Sequence, residues 1–370
     1  MKNDLCRRLG IEQPIFAFTH CRDVVVEVSR AGGLGVLGAA GFTPEQLEQE
    51  LEWITRKLGD KPFGVDVIMP KKLTEGAVPD LKSMIPEGHK AWVESVLQRY
   101  NIAPLPSDAK EGEFGLSGDQ IGWTHDLARK LLDVAFRYPT LKVLVNALGT
   151  PPADILAECQ VKGILVGALA GKVKHALAHK AGGVDFVIAQ GHEAGGHTGE
   201  VTTMVLVPEV VDAVHPLPVL AAGGIAGGRQ IAAALALGAQ GVWCGSVWLT
   251  TPESDVAPTP KKKLLAARSD ETVRSRVISG KPARMLRTAW TDAWEAKDSP
   301  GFLPLPLQGM LVQEPHLRIL RSQNEELAFY PCGQTIGHCN DERDCKTIMA
   351  DMVSEYVETV ERLGQSLQDQ

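Results

Sequence analysis

Eight short apolar runs recur along the chain, each followed by a turn and then by a stretch with helical periodicity. They are 14–20 (PIFAFTH), 33–39 (GLGVLGA), 62–69 (PFGVDVIM), 141–148 (LKVLVNAL), 162–168 (KGILVGA), 184–190 (VDFVIAQ), 217–222 (LPVLAA) and 240–246 (QGVWCGS). Continuous apolar runs of this length read as strands buried on both faces. The intervening segments, among them RDVVVEVSRAG, TPEQLEQELEWITRKLG and GRQIAAALALG, read as helices, several ending in the glycine that serves a left-handed C-cap. Strict alternation of strand and helix demands a parallel sheet, and eight units predict closure into an α/β fold of the (β/α)8 TIM-barrel type.

Such a barrel takes about 250 residues, so roughly 120 of the 370 must lie elsewhere. We place the barrel domain at 1–250 with an insertion at 70–122. A second, proline-rich insertion spans 251–346, and a helix at 347–370 (KTIMADMVSEYVETVERLG and beyond) packs back on the barrel. Both insertions follow the carboxyl end of a strand, after strands three and eight, which predicts a lid or small cap on the face where barrels carry their chemistry. Trp243 and Trp248 are expected to pack behind the last strand.

Composition narrows the function classes. A net charge of −7 with dispersed cations provides no footprint for nucleic acid. The amino terminus lacks an apolar targeting core, and no window reaches the length of a membrane span, so a cytoplasmic protein, monomer or homodimer, acting on a small molecule is expected. Seven cysteines without framework spacing suggest reduced thiols, and the cluster Cys332, His338, Cys339, Cys345 lacks the paired spacing of a zinc ribbon.

Two glycine-rich stretches carry the chemistry. AAGGIAGG places Gly223 and Gly224 after strand seven, and CGS places Gly245 and Ser246 after strand eight. Loops seven and eight of a barrel are where phosphate most often binds, because glycine lets backbone amides approach an anion and a helix N-terminus adds partial positive charge. No Walker lysine follows, so a mononucleotide or cofactor phosphate fits better than a nucleoside triphosphate. After strand six, QGHEAGGHTGE sets His192, Glu193, Gly195, Gly196 and His197 over the barrel mouth. A neutral imidazole suits proton abstraction near neutral pH, and His197 is the candidate base, with His192 assigned a structural role. The HExxxH spacing sits on a glycine-rich loop rather than a helix, so no metal is expected.

QGHEAGGHTG, AAGGIAGG and CGS in this order resemble the nitronate monooxygenase family, FMN-dependent barrels also known as 2-nitropropane dioxygenases. The resemblance implies FMN with its phosphate on Gly223, Gly224, Gly245 and Ser246, and His197 at the family's catalytic position. It also implies Ala17 with Phe18 on strand one and Asp66 on strand three beside the isoalloxazine, Gln190 near its polar edge, and Gln334, in the GQ of the tail, near the flavin. Departures fall on the substrate side: Ala17-Phe18-Thr19 replaces a frequent Ala-Pro-Met, Asp66 stands where Asn is frequent, and strand four carries Asn146 where Ser or His is common. EAGGHTGEVTTM resembles FMN-dependent enoyl-acyl-carrier-protein reductases equally well, which implies NAD(P)H as a possible reductant of enoyl thioesters or quinones. A flavin-free isomerase or lyase using the same phosphate cradle is the third reading.

Overall fold

A computed structural model describes residues 1–69, 81–106 and 125–368. Its strands in chain order are β1 (Ile15–Thr19), β2 (Leu34–Gly38), β3 (Phe63–Asp66), β4 (Leu141–Asn146), β5 (Leu165–Ala170), β6 (Phe186–Gln190), β7 (Gly196–His197), β8 (Val219–Ala222), β9 (Gly241–Cys244), β10 (Thr272–Ser275) and β11 (Ala283–Leu286). Eight of them close into a barrel in the order β1-β2-β3-β4-β5-β6-β8-β9, all parallel, with β9 pairing back on β1 at Ala17 and Cys244. Each lies within one of the eight predicted runs or within two residues of it, and the (β/α)8 architecture is as expected.

Alternation along each strand divides the core in two. Phe16, Val36, Val143, Val145, Phe186, Ile188, Leu220, Ala222 and Trp243 fill the barrel, and Leu5, Cys6 and Leu9 of the helix Asp4–Leu9 join the same cluster. Outside, Ala17, Val187, Ala189, Ala221, Val242 and Cys244 pack against the surrounding helices. Trp243 therefore corrects the expectation: with Val242 and Cys244 facing outward, its indole must face inward, where it stacks on Phe16 at 6.4 Å and Phe18 at 5.8 Å. Trp248 does pack behind the strand, 1% exposed, its Nε1 donating to the Cys244 carbonyl at 2.9 Å.

The C-terminal helix Cys345–Gln368 buries Ile348, Met349 and Met352 against the barrel helices. A Cβ at Gly228, which opens the helix Gly228–Ala236, would fall inside the backbone of Met352 to Tyr356. Replacing Gly228 by Ala should push the two helices apart at an overpacking cost of about 1–3 kcal/mol. Chemical denaturation should show a lower midpoint with an unchanged slope, whereas an unchanged midpoint would mean the crossing is loose.

The second insertion carries structure that the sequence pattern did not reveal. β10 and β11 form a hairpin whose second strand pairs antiparallel with β7, Ala283 opposite His197 and Arg284 opposite Gly196. Behind it, Met285, Trp290, Trp294, Ile319 and Phe329 form a cluster with Val93, Val96 and Leu97 of the helix Glu87–Arg99 from the first insertion. Arg318, with its side chain 4% exposed, joins the two by a bidentate pair to Glu94 at 2.7 and 3.0 Å and by bonds to the Ile102 and Ala103 carbonyls. The rest of the insertion expected at 70–122, apart from 81–106, lies outside the described residues.

Candidate active site

The loop after β6 is held at several points. Gly191 N–H donates to the Ala222 carbonyl at 2.9 Å, and His192 N–H donates to the Val201 carbonyl at 2.8 Å. Glu193 accepts from the backbone N–H of Thr203 at 2.9 and 3.2 Å and from its hydroxyl at 2.9 Å, so both carboxylate oxygens serve the start of the helix Thr203–Val214. The same hydroxyl lies 2.9 Å from the Gly223 carbonyl, which ties loop six to loop seven. A third segment covers both: Gln334 N–H donates to the Glu193 carbonyl at 2.9 Å, and Gly333 N–H donates to Ser246 Oγ at 2.7 Å. Gly195 and Gly333 can be nothing larger, since a Cβ on Gly195 would lie 2.8 Å from the Gly333 nitrogen and one on Gly333 would lie 2.7 Å from the Glu193 carbonyl.

This arrangement leaves an anion cradle. Gly223 and Gly224 have φ of 93° and 76°, open to glycine but strained for other residues. A Cβ on Gly224 would meet nothing nearer than Glu193 Cβ at 3.9 Å, and one on Gly245 nothing nearer than the Phe18 carbonyl at 3.8 Å. Among the described residues the amides of Gly224 and Ser246 have no protein acceptor, and the Ser246 hydroxyl, while accepting from Gly333, keeps its proton to donate. Space beside glycines, amides without acceptors and a hydroxyl donor fit a phosphate. The expected help from the helix Gly228–Ala236 is already used by the protein itself. Glu355 accepts from Arg229 N–H at 3.3 Å and pairs with the guanidinium at 2.6 Å, an acidic partner for that N-terminus supplied by the C-terminal helix.

His197 stands on β7, its Nε2 2.6 Å from Ser279 Oγ in the turn between β10 and β11. His197 is exposed, and desolvation by the protein packed around its ring lowers its pKa from the ordinary 6.5. His192 is turned to the hairpin: Arg284 donates to its carbonyl at 3.1 Å and to its Nδ1 at 3.1 Å, and partial burial followed by the Arg284 and Arg274 charges lowers its pKa. His192, Glu193 and His197 thus have three different partners and do not converge.

Across the mouth, Phe18 and Asp66 sit at the carboxyl ends of β1 and β3. Phe18 stacks on Trp243 and meets His20 edge-on at 5.3 Å. Asp66 is 5% exposed, and burial pushes its carboxyl up to about 7, offset only in part by a hydrogen bond from the Ala147 amide. Gln190 follows Ile188 on the inward face of β6. Ala17 is fully buried in the outer layer, so only its backbone reaches the barrel side. Cys332, Cys339 and Cys345 are buried in that same layer while His338 is exposed; burial pushes the first two thiols up to about 12 and raises the third as well.

The family model for nitronate monooxygenases matches residues 4–355. The chain belongs to the nitronate monooxygenase family. That is a class of FMN-dependent oxidoreductases, and the chain is an enzyme of it acting on a small molecule. A Mycobacterium tuberculosis protein provisionally named a monooxygenase is 51% identical, covering 98% of each chain. A Staphylococcus haemolyticus protein provisionally named nitronate monooxygenase is 31% identical over 84% of each. Among solved structures, nitroalkane oxidase from Streptomyces ansochromogenes superposes with a TM-score of 0.78 at 26% identity, covering 98% of this chain and 100% of that one. FabK from Thermotoga maritima does so with 0.75 at 29%, covering 99% of both. Among the described residues, no helix of this family member is long and apolar enough to cross a membrane.

The structure brings Gly195, Gly223, Gly224, Ser246 and Gln334 together through Glu193 and Gly333, with Gly245 next to Ser246, and sets Gly196 and His197 on the hairpin edge. Ser279, Arg284 and Glu355 had no role in the sequence reading, whereas Gly333 entered it only as part of the GQ pair. The others act across 82 to 126 residues of separation.

Proposed function

We propose that this chain binds FMN with its phosphate on Gly223, Gly224, Gly245 and Ser246, and oxidises alkyl nitronates with O2 to a carbonyl compound and nitrite. The unclaimed amides of the cradle, with an imidazole on the loop after the neighbouring strand β6, carry this reading. Bound FMN would supply one-electron oxidation of the nitronate. The protein does the rest. The glycine loops bind the anion without a cation, and Phe18, Asp66, Gln190 and Gln334 line the space around the ring. His197 removes the α-proton of a neutral nitroalkane in the tautomer that carries its proton on Nε2: that proton is directed at Ser279 Oγ, which also accepts from Lys281 N–H at 3.3 Å, and the Nδ1 lone pair remains for substrate. The lowered pKa keeps that ring neutral at physiological pH.

The barrel at 1–250, the insertions at 70–122 and 251–346 as one cap, the helix at 347–370 and a cytoplasmic location complete this reading. The resemblance of EAGGHTGEVTTM to enoyl-acyl-carrier-protein reductases implies a second electron source, NAD(P)H, and anaerobic mixing separates the two. Loss of the visible flavin band on adding an alkyl nitronate without nicotinamide supports the monooxygenase. Loss of it only with NADH or NADPH supports a reductase, and a colourless protein that takes up no FMN removes both.

A further inference from the structure

Asp66 is a carboxyl without a counterpart. It ends β3 on the barrel's inward face, since Val65 packs in the outer cluster, at the carboxyl end of the barrel from which the glycine loops after β8 and β9 and the His197 loop after β6 also leave. Its Oδ1 is buried with no hydrogen-bond partner among the described residues. The neighbours cannot serve it. Asn146, fully buried on β4, spends its amide oxygen on Met69 and Leu148 N–H at 3.0 Å each, and its nitrogen on the Met69 and Gly149 carbonyls at 3.1 Å each. The Gly38 carbonyl on β2 is taken by His20 Nδ1 at 2.9 Å. The strand β2 carries no titratable side chain, and β4 carries only Lys142 near its opposite end. From β1, His20 is turned to Gly38. A buried carboxylate with no cation is costly, whereas the acid form is neutral and gains one O–H donor.

We propose that Asp66 works as a carboxylic acid, donating a hydrogen bond from Oδ1 to an acceptor nitrogen or oxygen of the ring that occupies the mouth. It is a positioning and specificity residue that selects a ligand edge rich in lone pairs, as the flavin pyrimidine is. The inference rests on the FMN reading above. Binding then requires a proton on Asp66. Affinity is constant while the free protein already holds that proton and falls by up to about tenfold per pH unit once pH exceeds the carboxyl's pKa in the free protein.

The test is a titration of the apoprotein with FMN, followed by fluorescence quenching, from about pH 5.5 to about pH 8.5 for wild type and Asp66→Asn. The phosphate of FMN, with its own second pKa near 6, titrates in both and cancels in the ratio. The ratio of the two dissociation constants should rise by about tenfold or more between pH 7 and 8.5, as the wild type weakens and Asn, a permanent donor, does not. Proton uptake by the wild type on mixing with FMN in weak buffer near pH 8 should accompany this and does not depend on the variant's folding. A constant ratio or no proton uptake, with FMN bound normally, overturns the role of Asp66 alone. Failure of the wild type to bind FMN at any pH overturns the FMN reading and this inference with it.

Discussion

Replacing His197 by Asn should lower turnover of a neutral nitroalkane by at least about 10²-fold, or about 2.7 kcal/mol of transition-state stabilisation, with flavin retained. The asymmetry of the site makes the effect specific. His197 lies on the β7 edge paired with β11, and its ring bonds Ser279 rather than any cradle residue, so its loss leaves the phosphate cradle in place. Asn preserves a donor for Ser279 but supplies no base. A preformed nitronate has no α-proton to lose, so the same variant should slow it far less. Acid pH should imitate the variant. Burial lowers the His197 pKa, so the wild-type kcat/KM for the neutral nitroalkane should stay level as pH falls through 6.5 and decline only below that, where the ring takes up a proton. The variant should lack this limb. Equal losses on nitroalkane and nitronate, or an acid limb that survives in the variant, would show that the imidazole is not the base.

How much of this was legible beforehand follows from the range of the interactions. The barrel strands were legible because each is buried on both faces and therefore reads as an uninterrupted apolar run, as in FVIAQ of β6 or LVGALA of β5. The hairpin was not: β10 is TVRS, half-buried and short, and β7 is only two residues, stabilised by partners 86 and 88 positions away. Glycine was the other reliable signal, because a φ of 93° at Gly223 or a backbone crossing at Gly228 excludes every other side chain locally. What glycine could not show was the competition for a helix end. Glu355 on the C-terminal helix complements the N-terminus of Gly228–Ala236, and no local pattern places it there. Ser279 is likewise an ordinary turn serine until the hairpin sets it 2.6 Å from His197. In each case a long-range contact assigned the role. The error at Trp243 has a different origin, since a run apolar on both faces does not reveal which residues point inward until the register is known.

The cradle itself can be tested without disturbing the fold, because Gly223 after β8 and Gly245 after β9 differ in what a side chain there would meet. At Gly245 the backbone has φ −122° and ψ −60°, outside the left-handed region, and an added Cβ would have its nearest neighbour at 3.8 Å. Gly245→Ala should therefore leave the thermal midpoint of the apoprotein unchanged while placing a methyl group where the anion must sit. Phosphate held by backbone amides gains about 1.5–3 kcal/mol per charge-assisted hydrogen bond, so displacing it from one or two of them should weaken FMN by about 10- to 10⁴-fold, with Gly245→Val at the upper end. Gly223→Ala is the contrast. Its φ of 93° and a Cβ 3.0 Å from the Ala194 nitrogen and 3.1 Å from the Gly191 carbonyl should destabilise the apoprotein before any ligand is added. Calorimetry with and without FMN distinguishes the two effects. A bound ligand raises stability by RT ln(1 + [L]/Kd), so at fixed FMN the Gly245 variants should lose the ligand-induced shift while keeping the apoprotein midpoint. Were Gly245→Val to bind FMN as tightly as the wild type, the phosphate would have to sit elsewhere in the mouth, and the assignment of the β8 and β9 loops would be lost.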